Sequence, residues 1–155
     1  VDPLEERREL AGRLGATAAA PPGEAAAAAV NEVTGGLGAG AVFDTVGGPR
    51  LLEDALALSR HGGTVVLFAH APEAARADFD LNALFKHERR ILGTYSGALA
   101  EQEEIFRMLA DGRLDPVPLV SHRLALSDFE AGVRLAREQK ALKVLYVAAN
   151  TDRVG

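Results

Sequence analysis

The feature that most constrains this fold is an alternation in the middle of the chain. Ala41-Val42-Phe43-Asp44-Thr45-Val46 is a short apolar run closed by Gly47-Gly48. Pro49 then opens a stretch in which Leu52, Ala55, Leu56 and Ser59 recur at helical spacing, and Gly62-Gly63 ends it before a second run over 64–69 with nothing polar in its middle. Such runs suit strands covered on both faces, as in a parallel sheet. Strand, helix and strand joined by short glycine-rich turns predict a βαβ unit. The expected fold class is therefore α/β, built on a doubly wound parallel sheet. In such sheets ligands sit outside the carboxyl ends of the strands. The expected site is the edge formed by Asp2, Asp44-Thr45-Val46-Gly47 and Phe68-Ala69-His70.

The flanks continue the pattern. A helix is predicted over 3–14, with Asp2 as N-cap, Pro3 at the first helical position, Glu5 completing a capping box and Gly15 past the end. Residues 16–20 read as a weak strand. An alanine-rich helix over 24–34, which Val30 and Val33 give a side to bury, stops at Gly35-Gly36. Further along, 80–87 reads as a short helix and 90–95 as a strand. A helix over 99–110 is expected to bury Ile105, Met108 and Leu109. Residues 119–126 read as a strand, and Ser127-Asp128-Phe129-Glu130 as a capping box before a helix lined by Phe129, Val133 and Ala136. A last strand over 143–148 precedes a polar tail. The boundary falls near 95–97, giving domains of 1–96 and 97–155.

Composition narrows the function. Of 155 residues, 48% are hydrophobic and 25% charged, the balance of a globular protein. A net charge of −5 with dispersed basic residues argues against nucleic acid and anionic membrane as partners. No apolar run reaches the roughly 18 residues that span a bilayer, so a cytoplasmic location is expected. The absence of cysteine excludes disulfides, a thiolate nucleophile and any cysteine-based zinc site. The four histidines, His61, His70, His87 and His122, form no ligand pair at helical spacing, and the serines lack a nucleophile elbow. No metal site is expected from this chain alone.

In a dinucleotide fold an acidic residue ending the second strand accepts hydrogen bonds from the adenosine ribose. Asp2 stands where that would happen, and it also reads as a helix cap; the two roles are compatible. Gly35-Gly36-Leu37-Gly38-Ala39-Gly40 looks like a phosphate loop but follows a helix and precedes a strand, the reverse of the required order. It reads as a tight turn. Gly47-Gly48-Pro49 has the right context, so its amides either approach a ligand or form a plain turn. His70, at a strand's carboxyl edge, either meets a ligand or is an exposed loop residue.

In order and spacing, several stretches resemble the nucleotide-binding half of medium-chain, zinc-type alcohol dehydrogenases. They are Val1-Asp2 with the helix after it, Leu14-Gly15-Ala16-Thr17, the run from Thr34 to Gly47, and Arg60-His61-Gly62-Gly63-Thr64-Val65-Val66-Leu67. Ile91-Leu92-Gly93-Thr94-Tyr95-Ser96-Gly97, the run from His122 to Asp128, and Ala141-Leu142-Lys143-Val144-Leu145 continue the likeness, and Gly93 to Gly97 leans toward the polyol and threonine branch. The resemblance implies a Rossmann-like sheet. It also implies that Asp2 holds the adenosine ribose and favours NAD over NADP, with Arg7 as a second ribose or phosphate contact. Thr45, Val46 and Gly47 would line the adenosine side, and the backbone of Phe68, Ala69 and His70 would run along the nicotinamide. Thr94 and Ser96 would offer main-chain groups to its carboxamide. Lys143 would reach the pyrophosphate; without the family it is a surface lysine opening the last strand.

The family usually carries a glycine-containing turn where this chain has Phe68-Ala69-His70. Its zinc ligands, proton relay and glycine-rich loop belong to sequence upstream of Val1, so no catalytic or metal-binding residue is expected here. The expectation is an incomplete dinucleotide-binding domain over 1–96, lacking its first strand and helix, and a C-terminal α+β segment over 97–155 that returns to the catalytic domain. In the family's strand order the first strand is central. The chain alone is therefore expected to be unstable, to repack so that the strands ending at Asp2 and Asp44 meet, or to be completed by another chain. The implied function is part of an NAD-dependent alcohol or polyol dehydrogenase that moves a hydride between a secondary alcohol and nicotinamide, inactive alone and binding NAD weakly. Zinc would enter only through upstream residues. Rival readings are a zinc-free quinone or enoyl reductase of the same superfamily, and a non-catalytic module that homodimerises through an edge strand at 89–95.

Overall fold

The structure is a computed structural model, in which residues 1–148 are described. The chain divides into two compact units, Val1–Ser96 and Gly97–Gly155. The first holds helices α1 (Glu5–Arg13) and α2 (Glu24–Thr34), strand β1 (Ala39–Asp44), helix α3 (Pro49–Leu58), strand β2 (Ser59–Leu67), helix α4 (Leu81–Lys86) and strand β3 (Arg90–Gly93).

Its sheet runs β1-β2-β3 with both pairings parallel. Parallel neighbours cannot be joined by a tight turn and need a crossover, which α3 supplies between β1 and β2 and α4 between β2 and β3. The central strand is the apolar one. Val65 is fully buried and packs with Leu52 and Ala55 of α3, and Val42, Leu67 and Ile91 close around them. This α/β architecture is the expected class, a partial doubly wound parallel sheet.

The departures in this unit have local causes. Asp2 does not cap α1. The helix starts at Glu5 with Leu4 as its N-cap, while the Asp2 carboxylate takes the Leu4 N–H at 2.9 Å, so the capping box is not formed. Residues 16–20 form no strand; the Ala20 carbonyl accepts the Asp2 N–H at 3.2 Å instead. Strand β1 ends at Asp44, leaving Thr45 and Val46 in the turn beyond it. Strand β2 begins at Ser59 and carries Gly62-Gly63 within it, because the register slips between Ala39 and Ala41 in a bulge that glycine tolerates.

The second unit holds α5 (Leu99–Ala110), a 3₁₀ turn at Val117–Leu119, β4 (His122–Ala125), a 3₁₀ turn at Leu126–Asp128, α6 (Phe129–Arg137) and β5 (Val144–Val147). β4 and β5 pair in parallel. Buried Gly132 of α6 lies against the ring of Tyr146, whose hydroxyl donates to the Phe129 carbonyl at 3.0 Å. Three expectations fail here. The strand read over 119–126 is confined to His122–Ala125, because 3₁₀ turns take up Leu119 and Leu126. α5 buries no residue, with Ile105 46% exposed, and α6 has no side-chain cap, since a 3₁₀ turn runs directly into it.

Candidate functional site

The carboxyl edge of the three-stranded sheet is organised by one buried carboxylate. Asp44 ends β1, and its Oδ1 accepts the N–H of Val46 at 3.0 Å and of Gly47 at 2.8 Å, bending the chain back over the strand end. Gly47 follows with φ of 85°, and a Cβ there would stand 2.5 Å from the His70 carbonyl oxygen. Only glycine fits this approach.

Neighbouring strand ends are tied to the same turn. The Phe68 N–H donates to the Asp44 carbonyl at 2.9 Å, and the Thr94 N–H to the Leu67 carbonyl at 3.1 Å. The His70 and Tyr95 rings meet edge to face with centroids 5.4 Å apart. Thr45, Val46, Gly47, Phe68, Ala69, His70 and Thr94 are thereby brought to one edge. Ser96 ends the stretch with φ of 59°. Val46 and Phe68 are 71% and 60% exposed, so the edge shows two large apolar side chains. Behind it lies a cavity of about 120 Å³ lined by Asp44, Gly47, Leu52, Leu67 and Ala69 among others.

Asp2 and Arg7 form a separate pair. The Arg7 guanidinium lies 3.8 Å from Asp2 Oδ2, both side chains about one-third exposed, while Arg8 Nη1 donates to the Asp2 carbonyl at 2.8 Å. Among the described residues no hydrogen bond joins Asp2 to the 44–47, 68–70 or 94–96 stretches. Lys143 belongs to the second unit, just before β5, and its carbonyl accepts from the Ser121 N–H at 3.0 Å.

Asp44 was expected at this edge, but the part its side chain plays in folding the turn was not. Its signal was present: an aspartate at a strand end, with a glycine three residues on, is the pattern of a side chain that folds a turn onto itself.

A second polar cluster occupies the amino end of the sheet. The His61 and His87 rings stack with centroids 4.1 Å apart, and Arg89 Nη1 lies 2.9 Å from His87 Nδ1. A guanidinium can only donate, so His87 Nδ1 accepts and carries no proton. Loss of solvation, then His61 and Arg89, push the His87 pKa below the ordinary histidine value.

The donor set does not fit zinc. Among the described residues no three His, Asp or Glu side chains are grouped to hold a metal ion, and the chain has no cysteine. The carboxyl edge presents backbone groups between two exposed apolar side chains, Val46 and Phe68, with Gly47 held against the His70 carbonyl.

Parallel strands, crossover helices and a glycine turn at the carboxyl edge define a nucleotide-binding type of α/β domain. The sequence profile described as zinc-binding dehydrogenase matches residues 1–111, so the chain belongs to that family. What it matches is a C-terminal portion of zinc-type alcohol dehydrogenases. An NDMA-dependent alcohol dehydrogenase of Amycolatopsis methanolica is 32% identical over 92% of this chain and 40% of its own length. An L-threonine 3-dehydrogenase of Bacillus velezensis is 26% identical over 95% of the chain and 43% of its own length. Among solved structures, the alcohol dehydrogenase TADH of Thermus sp. ATN1 superposes with a TM-score of 0.84 at 30% identity, covering 95% of this chain and 42% of that one. The benzyl alcohol dehydrogenase of Acinetobacter calcoaceticus gives 0.83 at 26% identity, covering 96% and 41%. The chain thus spans about two-fifths of the length of these relatives. Among the described residues no helix is long and apolar enough to cross a membrane.

Proposed function

We propose that this chain is the cofactor-holding part of a cytoplasmic, NAD-dependent alcohol or polyol dehydrogenase, in which a hydride passes between a secondary alcohol and nicotinamide. The observation that carries the reading is the carboxyl edge itself, where the turn after β1 packs against the residues after β2 in a chain of this family. NAD, when bound, supplies the hydride chemistry; the residues of this chain bind and orient it.

Asp2, paired with Arg7, accepts from the ribose hydroxyls, and its negative charge disfavours the extra phosphate of NADP. Thr45, Val46 and Gly47 line the adenosine side. The backbone at Phe68, Ala69 and His70 runs along the nicotinamide, with Thr94 and Ser96 toward its carboxamide. Lys143 serves the pyrophosphate. The chain alone binds NAD weakly and is inactive, because catalytic groups and any zinc come from other parts of the enzyme. β3, at the end of the sheet order, pairs with β3 of a second copy to form a homodimer.

The test is a titration of the chain with NAD and NADP followed by amide NMR. Shifts at Val46, Gly47 and His70, with NAD bound more tightly than NADP, are expected. Asp2→Ala should weaken NAD about tenfold, the scale of one lost charge-assisted hydrogen bond. Shifts confined to other residues would refute the reading.

A further inference from the structure

We infer that Asp44 is a positioning residue that makes the two loops of the carboxyl edge one mechanical unit, so that the adenosine-side turn and the nicotinamide-side stretch cannot move independently. The inference rests on the cofactor reading for its ligand but not for its geometry.

Three contacts converge on this residue. Its side-chain Oδ1 holds the amides of Val46 and Gly47, and its main-chain carbonyl holds the amide of Phe68. The turn formed by the first pair then carries Gly47 onto the His70 carbonyl, at a separation that leaves no room for a Cβ. One residue therefore grips the chain after β1 with its side chain and the chain after β2 with its backbone.

Burial strengthens the grip. Asp44 is only 8% exposed, on a surface where Val46 and Phe68 are mostly open. A carboxylate shielded from water makes stronger hydrogen bonds than an exposed one, and leaving its partner amides unsatisfied is costly. Two amides converge on one oxygen, so the turn requires an acceptor at that place. The amide oxygen of asparagine supplies one, whereas alanine does not. Asp44 touches no reacting atom in this scheme and acts only through the two loops.

The experiment compares the full chain with Asp44→Asn, Asp44→Ala and Gly47→Ala by amide NMR, alone and with NAD. Asp44→Asn is expected to keep the Val46, Gly47 and His70 resonances near their original positions and NAD affinity within about threefold, less than one hydrogen bond's worth. Asp44→Ala is expected to move all three together and to weaken NAD about tenfold, with the Val65 amide still protected. If Asp44→Ala does not fold, Gly47→Ala attacks the same contact from the other side and should move the Phe68 and His70 resonances. Displacement of Val46 and Gly47 with Phe68 and His70 unmoved in either variant would overturn the inference. If the unaltered chain shows no response to NAD while Asp44→Ala still moves both loops, the coupling stands and the cofactor reading falls.

Discussion

The two units of this chain use the same alphabet of short parallel strands and amphipathic helices, yet they bury very different amounts of it. In the first, β2 lies between two neighbours under α3, and Val65 is fully buried. In the second, two strands make the whole sheet, and only Gly132 and Ala141 are buried among the described residues. A two-stranded sheet offers little surface to cover, so Ile105, Phe106 and Leu109 of α5 stay open. Periodicity tells which face of a helix is apolar; the number of strands under it decides whether that face is used.

The contrast breaks most readily at the cores. Leu52→Ala should destabilise the first unit by about 2–4 kcal/mol, because it removes packing from Val65, whereas Ile105→Ala should cost below about 0.5 kcal/mol. Denaturant titration followed by unit-specific amide signals measures both, and comparable losses would erase the distinction.

The next effect tests whether the second unit has one tight place. A Cβ at Gly132 would overlap the Tyr146 ring, so Gly132→Ala should cost about 1–3 kcal/mol. It should also loosen the β4–β5 pairing, read as faster hydrogen exchange at Leu124 and Tyr146. A neutral outcome would make the second unit loosely packed throughout.

The smallest effect is a pH dependence confined to the first unit. His87 is surrounded by His61, Arg89, Lys86 and Asp80, and its pKa is lowered in the fold. The unfolded chain therefore binds the proton more readily. The stabilisation is complete above the unfolded histidine value of about 6.5 and is lost as pH falls from there through the folded value. The protection factor at Val65, taken relative to intrinsic exchange at each pH, should fall between pH 7 and 5.5 more than that at Leu124. His87→Gln should flatten that slope, and an unchanged slope would remove His87 as its source.

Much of this architecture was legible in advance. α2 and α5 have the expected bounds, because alanine-rich or heptad-like stretches ended by glycine leave little choice. The α/β class followed from the glycine-punctuated apolar runs. Boundaries failed where tertiary contacts overrode local signals. Asp2 bonds with Leu4 ahead of α1, the 16–20 segment meets Asp2 through a single carbonyl, and a bulge absorbs Gly62-Gly63 into β2. Asp44 was read as the end of a strand, since its value lies in what its side chain holds three residues later. The gathering of 44–47 with 68–70 was expected from strand ends alone; the closeness of Gly47 to His70 was not, because no sequence period encodes it.

The all-parallel order β1-β2-β3 also governs how this chain reaches its fold. Val66 must find Phe43 on one side and Leu92 on the other, and neither meeting can begin from a hairpin. Each requires a long loop to close before any ladder contact repays its entropy. Folding of the first unit therefore depends on contacts far apart in sequence, which slow it. Until those contacts form Val65 and Val66 are exposed to other chains, and synthesis must pass Gly93 before the sheet can be complete.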